Sequence, residues 1–280
     1  MNATTLPGLD RNAATTPPEL VPGSAPDTAD LPGTTPPPGA TYRPGATYRD
    51  RHVGADLVSL LREFIRHPSP WMLLVSLASS IVLRARLGEP RLSDVVTVAA
   101  LIAAQPFTEW LIHVAVLHFR PRQLGRIRID LHLAKEHRAH HRAPHVIRLV
   151  MIPWIDLAAI VLVANAIGWS TQSAPFAAAM VVASALALQY EWTHFLLHSP
   201  RRFRSARYQR LERHHRLHHF RNEHYWMGVT TTAADRVLHT NPARGAVPLS
   251  PTARSLDPGD AGNPTREGVR SESVHTDPAA

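Results

Sequence analysis

Four apolar stretches, each close to the length of a bilayer crossing, constrain this chain more than anything else in it. They run over 70–87, 94–118, 149–167 and 174–198. In hydrocarbon each backbone N–H and C=O must be satisfied within its own segment, so stretches of this kind become helices. Pro106 falls inside the second, Pro153 and Asp156 inside the third, and the neutral link GWSTQS joins the third to the fourth. One such stretch alone could be a core helix of a soluble protein. Four in succession point to an all-α, polytopic membrane protein with about four transmembrane helices and a cytoplasmic helical cap. Apolar residues concentrate in 55–240. Residues 1–54, rich in Pro, Thr, Gly and Ala, and residues 241–280, rich in Pro, Ser, Asp and Arg, have too few of them to offset chain entropy. Both are expected to be disordered tails.

The formal net charge is +8, nearly all of the cationic charge is arginine, and Lys135 is the single lysine. Residues 119–148 carry Arg120, Arg122, Arg126, Arg128, Lys135, Arg138, Arg142 and Arg148. Residues 199–221 carry a second such set, from Arg201 to Arg221. Basic loops resist translocation, so both regions and both tails are expected on the cytoplasmic side. Arg84, Arg86 and Arg91 then fall in the first link, on the other side; a re-entrant hairpin of the first two stretches is the alternative. Positive charge beside apolar helices fits an anionic membrane surface rather than nucleic acid. The absence of cysteine excludes disulfides, iron–sulfur clusters and thiolate zinc sites. No charged stretch followed by an apolar one opens the chain, so no secretory signal is expected.

Histidine is the second feature. The word His-x-x-His-His occurs twice, as His137, His140, His141 and as His215, His218, His219. Each follows a histidine pair, His113 with His118 and His194 with His198. Neutral imidazole suits iron, zinc, copper and nickel. Residues three and four apart share a helix face, so one turn can offer three ligands to two adjacent metals. Ten imidazoles exceed what one ion can take, and two ions with about five each is the expectation. His113 and His118 are five apart, which on an ideal α-helix aims them about 140° from one another, so they serve together only if the helix ends near His118. Glu109 and Glu191 stand one turn before His113 and His194, where each could hold an imidazole by its second nitrogen. His214 adjoins the second word out of register, as a bystander or a support to a ligand. His52, His67 and His275 lie outside the clusters.

With these clusters in order, the chain resembles the fatty acid hydroxylase/sterol desaturase superfamily of integral-membrane di-metal oxygenases, over roughly 105–240. The likeness rests on HVAVLH (113–118), HRAHH (137–141), HFLLH (194–198) and HRLHH (215–219). APHVIRLVMIP (143–153), QYEWTHFLLH (189–198) and the closing FRNEHYWMGVTTTAADRVLHT (220–240) are most similar to the fatty acid 2-hydroxylase branch. The closing stretch departs from the family with Ala234 where Trp is usual and His239 where Gly is usual, and His145 and His224 are additional histidines. The resemblance implies two iron ions (zinc being an alternative occupant of isolated protein), O2, a lipid substrate drawn from the bilayer and hydroxylation of a C–H bond, first of all in a fatty acyl chain. With no fused cytochrome b5 module in view, it also implies a separate electron-transfer protein. Sterol or lipid desaturation and carotenoid hydroxylation are variants within the superfamily. A non-catalytic metal-binding membrane protein or transporter is the alternative of another class, although transporters place their ligands near the bilayer midplane.

Overall fold

The computed structural model describes residues 56–256 apart from Arg202. Helix α1 (Leu57–Phe64) begins where the Asp56 carboxylate accepts the Ser59 N–H at 2.9 Å. Helix α2 (Pro68–Arg86) starts on a proline, whose fixed φ suits a first turn and whose missing N–H costs nothing there. Helix α3 (Leu92–Ile112) is capped by Asp94, which accepts the Arg91 N–H at 2.8 Å, and it continues into a π-helical turn over His113–Leu117. A two-stranded antiparallel hairpin follows, β1 (Arg122–Leu124) and β2 (Ile127–Ile129), with Leu124 opposite Ile127 and Gly125 at φ 60° in the turn. Then come α4 (His132–Arg142), α5 (Ile147–Val150), α6 (Trp154–Thr171), α7 (Ala174–Leu197), α8 (Ala206–Phe220) and α9 (Ala233–Val237).

Among the described residues four helical stretches are long and apolar enough to cross a membrane: Pro68–Arg86, Leu92–Leu117, Ile147–Thr171 and Ala174–Leu197. Their outward faces carry Val95, Ile102, Leu111, Ile160, Leu162 and Val163, all exposed. A continuous apolar surface of this kind is stable in lipid rather than water. Helix α2 packs against α6 and α7, and α3 against α7. Small polar groups tie the bundle: Ser76 and Ser184 hydroxyls lie 3.0 Å apart across α2 and α7, and Asn165 donates to Ser76 at 3.1 Å. Between apolar helices these contacts and close packing replace the hydrophobic drive.

Two sequence expectations change, and the all-α reading stands with one small addition. GWSTQS is not a link: α6 runs on through Thr171, and only Gln172, in the left-handed region at φ 49°, and Ser173 make the turn into α7. Gly168 lets the helices close on one another, since a Cβ there would meet Met180 Sδ at 2.9 Å and Leu83 Cδ2 at 3.2 Å. The all-α reading omits the 122–129 hairpin, whose strands are three residues each and wholly exposed. Finally, 241–256 is no tail. Val247, Ala253 and Leu256 are buried, Arg221 donates to the Val247 carbonyl at 2.8 Å, and the segment closes over α4 and α8. Few apolar side chains suffice there because the segment is fixed largely through its backbone carbonyls. Residues 1–55 and 257–280, with His52 and His275 and the rest of both expected tails, lie outside the described residues.

The first link also gains a physical account. Arg84 pairs with Asp94 and donates to the Gly88 and Glu89 carbonyls, and the Arg86 guanidinium lies 5.4 Å from the Trp169 ring centroid. Both charges are therefore satisfied within the helix ends.

Candidate metal centre

The ends of α3 and α7 and the bodies of α4 and α8 bring all ten clustered histidines together. They fall into two groups of five, His113, His118, His137, His141 and His218 in one, and His140, His194, His198, His215 and His219 in the other, with one nitrogen of each within 4.8 Å of the others in its group. Each His-x-x-His-His word is divided. His137 and His141 face one group and His140 the other; His215 and His219 face the second and His218 the first. Neighbours at i+1 point about 100° apart, so one turn of helix serves two centres. The two words are thus used in mirrored fashion.

The awkward spacing of His113 and His118 is resolved by the π-turn. The His118 N–H bonds to the His113 carbonyl at 3.0 Å, an i→i+5 contact, and this wider turn brings the two rings to 4.9 Å between centroids. The helix also ends there, with His118 as its cap.

Four rings are fixed from behind by backbone. The Nδ1 atoms of His113, His141, His194 and His218 face the carbonyls of Met227 at 2.6 Å, Ala253 at 2.8 Å, Val150 at 3.0 Å and Tyr225 at 2.9 Å. A carbonyl only accepts, so each Nδ1 carries the proton and each Nε2 presents a lone pair inward. Nε2 of His118, His141, His194 and His218 and both nitrogens of His140 are buried without a hydrogen-bond partner. Elsewhere Nε2 atoms crowd one another, at 2.8 Å between His198 and His215 and 3.2 Å between His113 and His137. Converging lone pairs without protons between them are the donor set a soft-to-borderline divalent cation needs, so the residues present fit a pair of imidazole-bound metals.

Electrostatics agree. Burial holds His118, His137, His140, His198, His215, His218 and His219 well below the usual imidazole value, and neighbouring imidazoles lower them further. Burial pushes His141 down to about 3 against the opposing hydrogen bond to Ala253. Neutral imidazole is the ligating form.

The two glutamates act differently from the sequence expectation. Among the described residues neither holds an imidazole. Glu109 accepts the backbone N–H groups of Val229 and Thr230, the Thr230 hydroxyl and the Gln105 amide, so it pins the 229–230 segment to α3. Glu191 accepts the Ile152 N–H at 2.9 Å and so ties the segment behind Val150, whose carbonyl meets His194. Carbonyls take the place expected for carboxylates. His214 joins neither group; its Nε2 donates to Asp235 at 3.0 Å. His145 and His224 also stay outside both groups.

Sequence reasoning missed Asp235. It is fully buried and also accepts from Met227 N–H at 2.9 Å, Gly228 N–H at 2.7 Å and the Thr240 hydroxyl at 2.7 Å. Burial alone would raise its carboxyl, but these bonds and the His214 contact outweigh it and hold it below the usual range. Gly228 is obligatory in this turn, since a Cβ there would sit 2.0 Å from the Thr231 carbonyl oxygen. His239 adopts φ 56°, a left-handed conformation just past α9, which explains why glycine is usual at that position.

The fatty acid hydroxylase family model matches residues 98–240, just over half of the 280-residue chain and spanning all ten histidines. The chain belongs to the fatty acid hydroxylase family. No curated protein and no solved structure matches it. As a fatty acid hydroxylase family member it combines the helices of a membrane protein with histidine groups able to bind metal, the equipment of a membrane di-metal oxygenase.

Proposed function

We propose that this protein is an O2-dependent di-iron oxygenase that hydroxylates a C–H bond of a fatty acyl chain taken from the bilayer. The observation that carries this reading is the pair of five-imidazole groups at the ends of membrane-spanning helices, in a chain of this family. The ten histidines are read as the ligands of two iron ions, which when bound supply the redox chemistry for activating O2 against an inert C–H bond. The chain's own residues do the rest. Backbone carbonyls at 150, 225, 227 and 253 hold four rings in one tautomer. Glu109 and Asp235 hold the 227–230 turn that supplies one of those carbonyls. The apolar helices keep bulk water from the reacting atoms. Electrons come from a separate protein, and the arginine-rich loops are read as cytoplasmic, where such a donor can reach them.

Lipid profiles of cells with and without the gene test the reaction. Hydroxylated acyl species are expected to appear only with the intact gene. Elemental analysis of the purified protein is expected to give close to two metals per chain. His140→Ala and His218→Ala should abolish the product and lower metal content, while His52→Ala and His275→Ala change neither. One metal per chain, or product formation by both cluster variants, refutes the reading.

A further inference from the structure

A cavity of about 800 Å³ opens beside His118, within the size range of small-molecule sites. Its apolar wall includes Trp110 and Val114, which belong to the Leu92–Leu117 span, together with Met227 and Leu256. An acyl chain leaving the bilayer along that span therefore meets an apolar surface leading towards a histidine of the first group. Arg120 and Arg122 also line it, three and five residues beyond the end of the span, and both are exposed. Among the described residues neither guanidinium has a carboxylate partner. Glu223 is the acid in the lining, and it is only 2% exposed. Its Oε1 accepts the Thr252 hydroxyl and lies 3.5 Å from Nε2 of His224, also in the lining, while Oε2 is buried without a partner. Positive charge thus sits at the rim and negative charge within the wall.

We infer that this cavity takes an acyl lipid with an anionic head, a carboxylate or a phosphate, held at the rim by Arg120 and Arg122 with the chain directed inward past Glu223 towards His118. The arginines attract the head at the level where headgroups lie, with the fork geometry that matches both anions. The buried Glu223 carboxylate repels an anion that enters head first, because charges in a poorly solvated wall are weakly screened. Together they set the polarity of binding. The inference rests on the acyl hydroxylase reading and adds the chemistry of the head.

Binding of palmitate, methyl palmitate and palmitoyl lysophosphatidate to the full-length, metal-loaded protein in neutral detergent tests it, by displacement of radiolabelled palmitate. Palmitate is expected to bind roughly tenfold more tightly than its methyl ester at low salt, a factor that charge-assisted contacts at a solvated rim can supply. The margin should narrow severalfold in about 0.5 M salt, where screening acts over about 4 Å. The double variant Arg120→Ala, Arg122→Ala should lose the preference and keep its affinity for the ester. Arg126→Ala, Arg128→Ala removes the same charge from the turn and second strand of the hairpin that Arg122 begins, outside the cavity lining, and should keep the preference. The lysophosphatidate arm distinguishes the heads: tighter binding than palmitate assigns a phosphate, weaker binding a carboxylate. Equal affinities for palmitate and its ester, or equal losses in the two double variants, overturn the inference. Because the readout is binding, it stands apart from the oxidative reading. Head-charge preference without hydroxylated product would sink only the latter, and product without preference only the former.

Discussion

Replacing Asp235 with alanine tests how the second half of the chain supports the histidine groups. The carboxylate is fully buried and accepts four donors: the N–H groups of Met227 and Gly228, the Thr240 hydroxyl and His214 Nε2. Each buried donor left without a partner costs roughly 1–3 kcal/mol, and with partial relaxation and water entry the whole loss is on the order of 4 kcal/mol. The effect should also travel. The Met227 carbonyl holds His113 Nδ1 at 2.6 Å, so a turn released at 227–228 frees that ring. Asp235→Ala is therefore expected to unfold at a much lower denaturant concentration and to lose metal first from the group containing His113. Asp235→Asn keeps a carbonyl oxygen for two of the donors and should lose about half as much. Tryptophan fluorescence reports the unfolding, since Trp226 is buried in the same turn, and elemental analysis reports the metal. An Asp235→Ala protein within about 1 kcal/mol of the parent and with full metal content would refute the reasoning, because it would show that the turn stands without its central acceptor.

Three further outcomes follow from the same structure. Eight clustered histidines outside the spans, among them His140, His218 and His219, have folded values below the unfolded value of 6.5, so the unfolded chain binds the extra protons. Stability and metal retention should be complete above about pH 6.5 and fall steadily as pH drops below it; a metal-free sample whose unfolding midpoint is flat from pH 7 to about 5 contradicts this. Gly168→Leu should destabilise the bundle by about 1–3 kcal/mol, because its side chain must displace Met180 and Leu83, whereas Gly168→Ala meets chiefly the flexible end of Met180 and should cost less. Reporter fusions after residues 125 and 205 should read the same, cytoplasmic side and a fusion at the Gln172–Ser173 turn the opposite one; a split between 125 and 205 would refute the topology, since the histidine groups need both regions on one face.

The helices and the histidines could be read from the chain because both depend on local pattern. Length and apolarity suffice to define a membrane helix, and His-x-x-His-His places three rings on one helical turn whatever surrounds it. The pairing of His113 with His118 was only half accessible, since α-helical geometry sets them apart and the choice of a π-turn depends on what α3 must meet. The segment 241–256 was missed for a related reason: it is held through carbonyls such as those of Val247 and Ala253, and every residue type carries a carbonyl.

By itself, then, the sequence determined that the chain has four stretches able to form membrane-crossing helices, which residue types it offers to metals and at which helix ends they stand. Only the tertiary structure decided which five of the ten histidines form each group, which no spacing along one helix contains, because each group draws on several separate segments. It also decided that the imidazoles lean on backbone carbonyls while Glu109, Glu191 and Asp235 hold the loops that present them. Several of these contacts join residues more than a hundred positions apart, as between Glu109 and Thr230, and their partners are set by how the helices pack rather than by any local preference of the chain.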